Sequence, residues 1–73
     1  MNTTESNMRI TVNGQDVSIA LGATIAALLA QLEITHPAIA VELNEQIQSK
    51  TRFEEQILSP DDRIEIVSLV GGG

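Results

Sequence analysis

The residues with the clearest chemical potential are three consecutive glycines at positions 71–73, with which the sequence ends. They follow residues 63–70, which are rich in β-branched side chains and predict a strand. Glycine has no Cβ atom, so such a tail is thin enough to enter a narrow channel, and three residues extend at most ~10 Å. Its carboxylate can attack the α-phosphate of ATP, and the acyl-adenylate can then react with a sulfur or nitrogen nucleophile. A frayed end without function is the alternative, and the tail alone leaves both interpretations open.

No other part of the sequence has the residue combination that catalysis or metal binding requires. Cysteine is absent and His36 is the single histidine, so we interpret His36 as a surface loop residue rather than a metal ligand or base. The glycines lack the Lys-Ser/Thr pair and the following helix of a phosphate-binding loop. We therefore expect no catalytic residue, no metal site and no cofactor bound by this chain, with ATP held by a partner enzyme.

The length and charge of the chain limit its function further. With 73 residues and a net charge of −6 it is one small acidic domain, and its charge argues against binding nucleic acid. The acidity favours a partner with a basic surface, or it serves solubility alone. No apolar run approaches the ~20 residues of a membrane span, and the polar beginning does not resemble a signal peptide. The absence of cysteine also fits a reducing compartment, so we expect a cytoplasmic protein.

The elements that carry the tail begin with a predicted hairpin. Residues 8–12 alternate between apolar and polar side chains, and the alternation resumes at Val17 and Ile19. Between them, Asn13-Gly14 is a strong signal for a type I′ turn, because both residues tolerate positive φ.

A helix is predicted next. Thr24 is suited to cap it, and an apolar stripe with the spacing i, i+3, i+4 and i+7 begins at Ile25. We expect this stripe to pack against the sheet. Pro37 disfavours helical geometry at the residue before it, so the helix should end near Glu33.

The second half of the chain predicts further strands. Residues 39–43 alternate, Asn44-Glu45 forms a turn, and a short fourth strand contains Ile47. Residues 51–56 have local helical character, with Phe53 as a core residue beneath them. A turn at residues 59–62, with proline at its second position, leads into the final strand.

The order β-β-α-β-β, with the short fourth strand in addition, predicts an α+β protein with the β-grasp, or ubiquitin-like, fold. Its mixed sheet of four to five strands carries one main helix on one face. We divide the chain into a flexible N-terminal arm (1–7), the β-grasp domain (8–70) and a flexible reactive tail (71–73). The predicted core consists of Ile10, Val12, Val17, Ile19, Ile25, Leu28, Leu29, Leu32, Val41, Phe53, Ile64 and Ile66.

Four segments, MRITVNG, GAT, AVELN and DRIEIVSLVGGG, resemble the small sulfur-carrier proteins of thiamine biosynthesis, the ThiS type. The resemblance covers residues 8–73, and its most specific part is the strand followed by terminal glycines. Asn44-Glu45 and Asp61-Asp62 stand where many members have Asn-Gly and Gly-Asp. These departures concern turns and not the tail.

The resemblance implies a function for the tail. A ThiF-like, ubiquitin-activating-like enzyme adenylates the terminal carboxylate with ATP and magnesium. A cysteine desulfurase system then supplies the sulfur that turns it into a thiocarboxylate, and a ThiG-like thiazole synthase takes up this sulfur. By position, the modified residue is Gly73, and Gly71 and Gly72 complete the reactive tail.

Other functions with similar tails remain as alternatives. One is the small subunit of molybdopterin synthase, and another is a ubiquitin-like modifier joined to lysines. A plain interaction module with an incidental tail is the third.

The final strand also predicts a docking site. Its period of two places Ile64 and Ile66 under the helix, and Glu65, Val67 and Leu69 on the opposite side, beside the tail. We expect these last three to dock the activating enzyme, because desolvated apolar residues dominate interfaces. Exposed valine and leucine without any role are the alternative.

Overall fold

A hairpin, a helix and three further strands build the domain. The computed structural model describes residues 6–69; residues 1–5 and 70–73 lie outside the described part. The elements are β1 (Asn7–Val12), β2 (Gln15–Ala20), α1 (Ile25–Gln31), β3 (Ile39–Leu43), β4 (Gln46–Gln48), a short 3-10 helix (Lys50–Arg52) and β5 (Arg63–Ser68). Of the predicted N-terminal arm, Asn7 is already part of β1 and pairs with Ala20.

The strands form one five-stranded sheet in the order β2-β1-β5-β3-β4. β1 and β5 run parallel, and the other neighbours are antiparallel. α1 packs its buried residues on one face of this mixed sheet. The predicted α+β, β-grasp architecture is confirmed, and the final strand lies at its centre.

Both predicted hairpin turns are confirmed by their backbone angles. φ is +50° at Asn13 and +81° at Gly14, the left-handed geometry of a type I′ turn. The second turn repeats this geometry, with +51° at Asn44 and +71° at Glu45. Asparagine tolerates this region well, whereas a glutamate there is unusual.

The helix begins as predicted and ends at Gln31, close to Glu33 as expected. The Thr24 hydroxyl accepts a hydrogen bond from the N–H of Ala27 at 3.1 Å, which satisfies one donor of the first turn. At the other end, Glu33 has a φ of +60°. The N–H of Glu33 donates to Ala30 at 3.1 Å and that of Ile34 to Leu29 at 2.9 Å, the two bonds of a Schellman motif. This local turn, rather than Pro37, ends the helix.

The segment after the 3-10 helix holds the start of α1. The carbonyl of Phe53 accepts from the N–H of Ala26 at 2.8 Å, and that of Gln56 accepts from Ile25 at 3.1 Å. The helical character predicted for residues 51–56 is confirmed in the form of a 3-10 helix followed by turns. The N–H groups of Glu55 and Gln56 both donate to the Arg52 carbonyl, at 3.0 and 2.8 Å.

The core lies between α1 and the sheet. Eight predicted core residues are buried: Ile10, Val12, Ile19, Ile25, Leu28, Val41, Phe53 and Ile64. Four predicted residues are only partly buried and line its margin: Val17, Leu29, Leu32 and Ile66. The buried residues missing from the prediction are Met8, Ile39 and Leu58. Met8 is buried because β1 starts before it and places it on the same face as Ile10.

Candidate functional site

The last described residues belong to the central strand of the sheet. β5 pairs with β3 from Leu43–Ile64 to Ile39–Ser68. Beyond the strand, the N–H of Leu69 donates to the carbonyl of Ala38 at 2.8 Å. The segment before the glycines is therefore held in place by its neighbour up to Leu69. The predicted reactive tail, Gly71 to Gly73, lies outside the described residues.

The sheet face opposite α1 carries an exposed apolar surface. Val67 is 52% exposed and Leu69 is 62% exposed, as expected for the side turned away from the helix. Val67 pairs across the strands with Ala40, so the two side chains share this face. Ile47 on β4 is 76% exposed and pairs with Glu42 on the same face. We call the three exposed residues Ile47, Val67 and Leu69 the apolar patch.

Two carboxylates lie next to the apolar patch. Glu42 and Glu65 pair directly across β3 and β5, so both side chains project from the same sheet face. Within residues 6–69 the ion pairs are Arg9–Asp16 and Arg52–Glu55. Glu42 and Glu65 take part in neither of them. Like charges placed directly opposite each other destabilise a sheet, so this pair does not contribute to the stability of the fold.

No metal-binding cluster is found in the described part of the chain. Its His, Asp and Glu residues do not form a group that could hold a metal ion. His36 is exposed in the loop between α1 and β3, where its Nδ1 accepts from the N–H of Ala38 at 3.0 Å. This bond shapes the loop and confirms the interpretation of His36 as a surface loop residue. Across residues 6–69, no helix has the length and apolar character to cross a bilayer.

Two residues near the site were not singled out from the sequence. Ile47 was placed on a short strand, but only the register of β4 shows that it extends the apolar patch. Asn13 was interpreted as a turn residue alone. Its side chain also accepts a hydrogen bond from the N–H of Ile66 and donates one to the carbonyl of Ile66, which lies 53 positions further along the chain. Neither contact can be inferred from local spacing, because both depend on strand order.

The sequence and the structure of this chain are both similar to those of known proteins. The model of the ThiS family matches residues 5–73, including the glycines. The sulfur carrier protein ThiS of Bacillus subtilis is 41% identical over 63 residues, which are 85% of this chain and 96% of that protein. The crystal structure of thiamine biosynthesis protein ThiS from Geobacter metallireducens aligns with a TM-score of 0.79 and 28% identity, over 90% of this chain and 100% of the other.

A longer relative is also similar. The thiazole synthase of Paramagnetospirillum magneticum is 32% identical over 66 residues, or 90% of this chain. The chain spans only 20% of the length of that protein. The similarity therefore concerns one segment of a much larger relative.

Proposed function

We propose that this chain, which belongs to the ThiS family, is a sulfur carrier protein of thiamine biosynthesis and carries its sulfur as a thiocarboxylate on Gly73. The observation that supports this most is the extent of the family match, which runs through residue 73 and so includes the glycines. The position of β5 agrees with this role, because the strand that leads to the tail is the central one of the sheet.

The proposed chemistry uses the main chain of Gly73 alone. A carboxylate oxygen attacks the α-phosphorus of ATP, pyrophosphate leaves, and an acyl-adenylate forms. The terminal sulfur of a donor persulfide then attacks the acyl carbon and displaces AMP, which gives an acyl disulfide. A thiol of the partner system reduces this disulfide, forms a new disulfide with the donor sulfur and releases the thiocarboxylate on the glycine. Glycines at 71 and 72 bring no side chain near the acyl carbon, so none of these steps is sterically hindered.

The carrier acts as a protein cosubstrate, and a partner enzyme supplies the catalytic groups. Among residues 6–69 there is no cluster suited to a metal ion. We propose that ATP and magnesium are bound by a ThiF-like adenylating enzyme, and that a cysteine desulfurase supplies the sulfur.

A thiazole synthase of the ThiG type is the proposed acceptor of this sulfur. Support comes from the thiazole synthase that contains a segment similar to almost the whole of this chain. One tail cannot occupy two active sites at once. The adenylating enzyme and the thiazole synthase therefore bind the carrier in turn.

We propose that the adenylating enzyme docks on the open sheet face at Glu65, Val67 and Leu69. Val67 and Leu69 are exposed and lie directly before the tail, so an enzyme that covers them has its active site within reach of the glycines. Desolvation of such apolar side chains provides affinity, and the Glu65 carboxylate provides attraction for a basic residue.

Complementation distinguishes this function from its alternatives. Expression of the chain in a bacterial strain that lacks its own ThiS should restore growth without thiamine, and deletion of Gly73 should abolish the rescue. In a strain that lacks the small subunit of molybdopterin synthase, the same plasmid should not restore molybdoenzyme activity. The opposite pattern would assign the chain to molybdopterin synthesis. Isopeptide-linked conjugates on a blot would instead indicate a protein modifier.

A further inference from the structure

Two asparagines, one at each hairpin turn, form side-chain hydrogen bonds at different points along the final strand. Asn44 accepts from the N–H of Arg63 at 2.9 Å and donates to the Asp62 carboxylate at 3.0 Å. Asn13 accepts from the N–H of Ile66 at 2.7 Å and donates to the Ile66 carbonyl at 3.2 Å. Asn44 thus holds the beginning of β5, and Asn13 holds the half that leads to the glycines.

Asn13 extends the pairing of β1 and β5 beyond the point where β1 ends. The parallel ladder consists of Thr11–Arg63 and Val12–Ile64. The N–H of Asn13 donates once more to Ile64 at 2.9 Å, and the chain then turns back into β2. The primary amide of Asn13 carries N–H donors and a carbonyl acceptor, the same kinds of group as the main chain, so it can pair with both the N–H and the carbonyl of Ile66.

Asparagine meets two requirements at this position. Its φ is +50°, a region that asparagine and glycine adopt more readily than other residues. Glycine would keep the turn but offers no side chain. Aspartate would keep the acceptor for the N–H of Ile66 but would place a carboxylate against the Ile66 carbonyl.

We propose that Asn13 is a positioning residue for the reaction at the tail, because it sets the direction in which β5 delivers the glycines to the activating enzyme. The inference rests on the proposed function, since it requires Gly73 to be the reacting residue. On the other edge of β5, β3 and Ala38 hold the chain as far as Leu69. On the edge that faces β1, the N–H and the carbonyl of Ile66 both bind the Asn13 amide, and both hydrogen bonds are lost when that amide is removed. A displacement of about 1 Å at a reacting group can lower a rate by up to about 100-fold.

The structure offers a matched control for this idea. Asn13→Gly and Asn44→Gly make the same chemical change at the same kind of turn, with φ of +50° and +51°. Asn13→Gly removes the two side-chain hydrogen bonds to Ile66. Asn44→Gly removes the two side-chain hydrogen bonds to Asp62 and Arg63. They differ in distance from the glycines, so a general loss of stability affects both variants and a positioning effect affects only the first.

Adenylation kinetics test the proposal. ATP–pyrophosphate exchange is measured with the cognate ThiF-type enzyme over a range of carrier concentrations. We expect Asn13→Gly to lower kcat by at least about tenfold with KM close to that of the wild type, because the docking face is intact. Asn44→Gly should keep the wild-type kcat. Amide hydrogen exchange at Ile66 should be faster in Asn13→Gly, which shows that the intended bonds were lost.

The possible outcomes separate this proposal from the proposed function. A wild-type kcat for Asn13→Gly, or an equal loss in both glycine variants, overturns the positioning role. If Asn13→Gly does not fold, Asn13→Asp replaces it; this variant keeps the bond from the Ile66 N–H but sets a carboxylate against the Ile66 carbonyl, so a wild-type kcat in it also overturns the positioning role. If the wild-type carrier itself supports no exchange with an enzyme that is active on another carrier, the proposed function is overturned instead.

Discussion

Leu28 is one of the two buried residues through which α1 contacts the core; the other is Ile25. The Leu28 side chain is fully buried in the core, among the residues that α1 presents to the sheet. Leucine side chains at such sites have many dispersion contacts, and the surrounding structure relaxes only partly when they are truncated.

Leu28→Ala is expected to lower the free energy of unfolding by about 2–5 kcal/mol, a large share of the stability of a small domain. Urea denaturation of both proteins measures the difference. Leu21→Ala is the matched control, since Leu21 is 51% exposed, and it should change stability by less than about 0.5 kcal/mol. An unchanged midpoint for Leu28→Ala would mean that the helix stripe is not the core.

Single residues also show which features can be predicted from the sequence and which cannot. Leu28 and Phe53 could be predicted as buried from spacing and residue type. The left-handed φ of +60° at Glu33 could not, because glycine is the usual residue at that position of a helix end. The amide contact of Asn13 with Ile66 depends on strand order, which local sequence does not contain.

At the scale of elements, β5 connects the core with the proposed docking site. Ile64 is buried beneath α1, while Val67 and Leu69 are exposed on the other side. The same strand therefore stabilises the domain through one face and remains available to a partner through the other.

The double variant Val67→Ala, Leu69→Ala should weaken binding to the adenylating enzyme by at least about 1 kcal/mol, because two apolar anchors are lost. Isothermal titration gives the dissociation constants, and circular dichroism checks the fold. Ile57→Ala serves as the control, since Ile57 is also exposed but pairs with Thr24 at the start of the helix. Equal affinities of the double variant and the wild type would show that the partner does not bind the open face.

The order of the elements could be predicted because alternation, turn residues and the helix stripe are local signals. The helical character of residues 51–56 could also be predicted, but not its form as a 3-10 helix at Lys50–Arg52 followed by turns. The conformation of this segment depends on hydrogen bonds to the first turn of α1, a contact between distant parts of the chain. The docking residues Glu65, Val67 and Leu69 could be placed on the open face from the period of the strand alone, although their role in binding remains a prediction.

At the scale of the whole molecule, charge is the main property that a partner senses before contact. The net charge is −6, and Glu42 and Glu65 lie side by side on the open face. Attraction between such a surface and a basic partner speeds association, and salt screens this attraction.

We expect the association rate with the adenylating enzyme to fall by about tenfold between low salt and about 0.5 M salt, with a nearly constant dissociation rate. Stopped-flow mixing measures both rates. Glu42→Gln, Glu65→Gln should reduce the salt dependence more than Glu54→Gln, a change of one exposed glutamate outside the sheet. An association rate that does not respond to salt would rule out electrostatic steering.

The most direct test of sulfur transport is the mass of the intact protein. After incubation with the adenylating enzyme, ATP, magnesium and a sulfur source, the chain should gain about 16 Da, as sulfur replaces one oxygen of the activated acyl group. Fragmentation should locate this gain at Gly73, and a variant without Gly72 and Gly73 should show no gain while it unfolds at the same temperature. An unchanged mass, in a mixture that converts another ThiS carrier, would contradict the thiocarboxylate at Gly73.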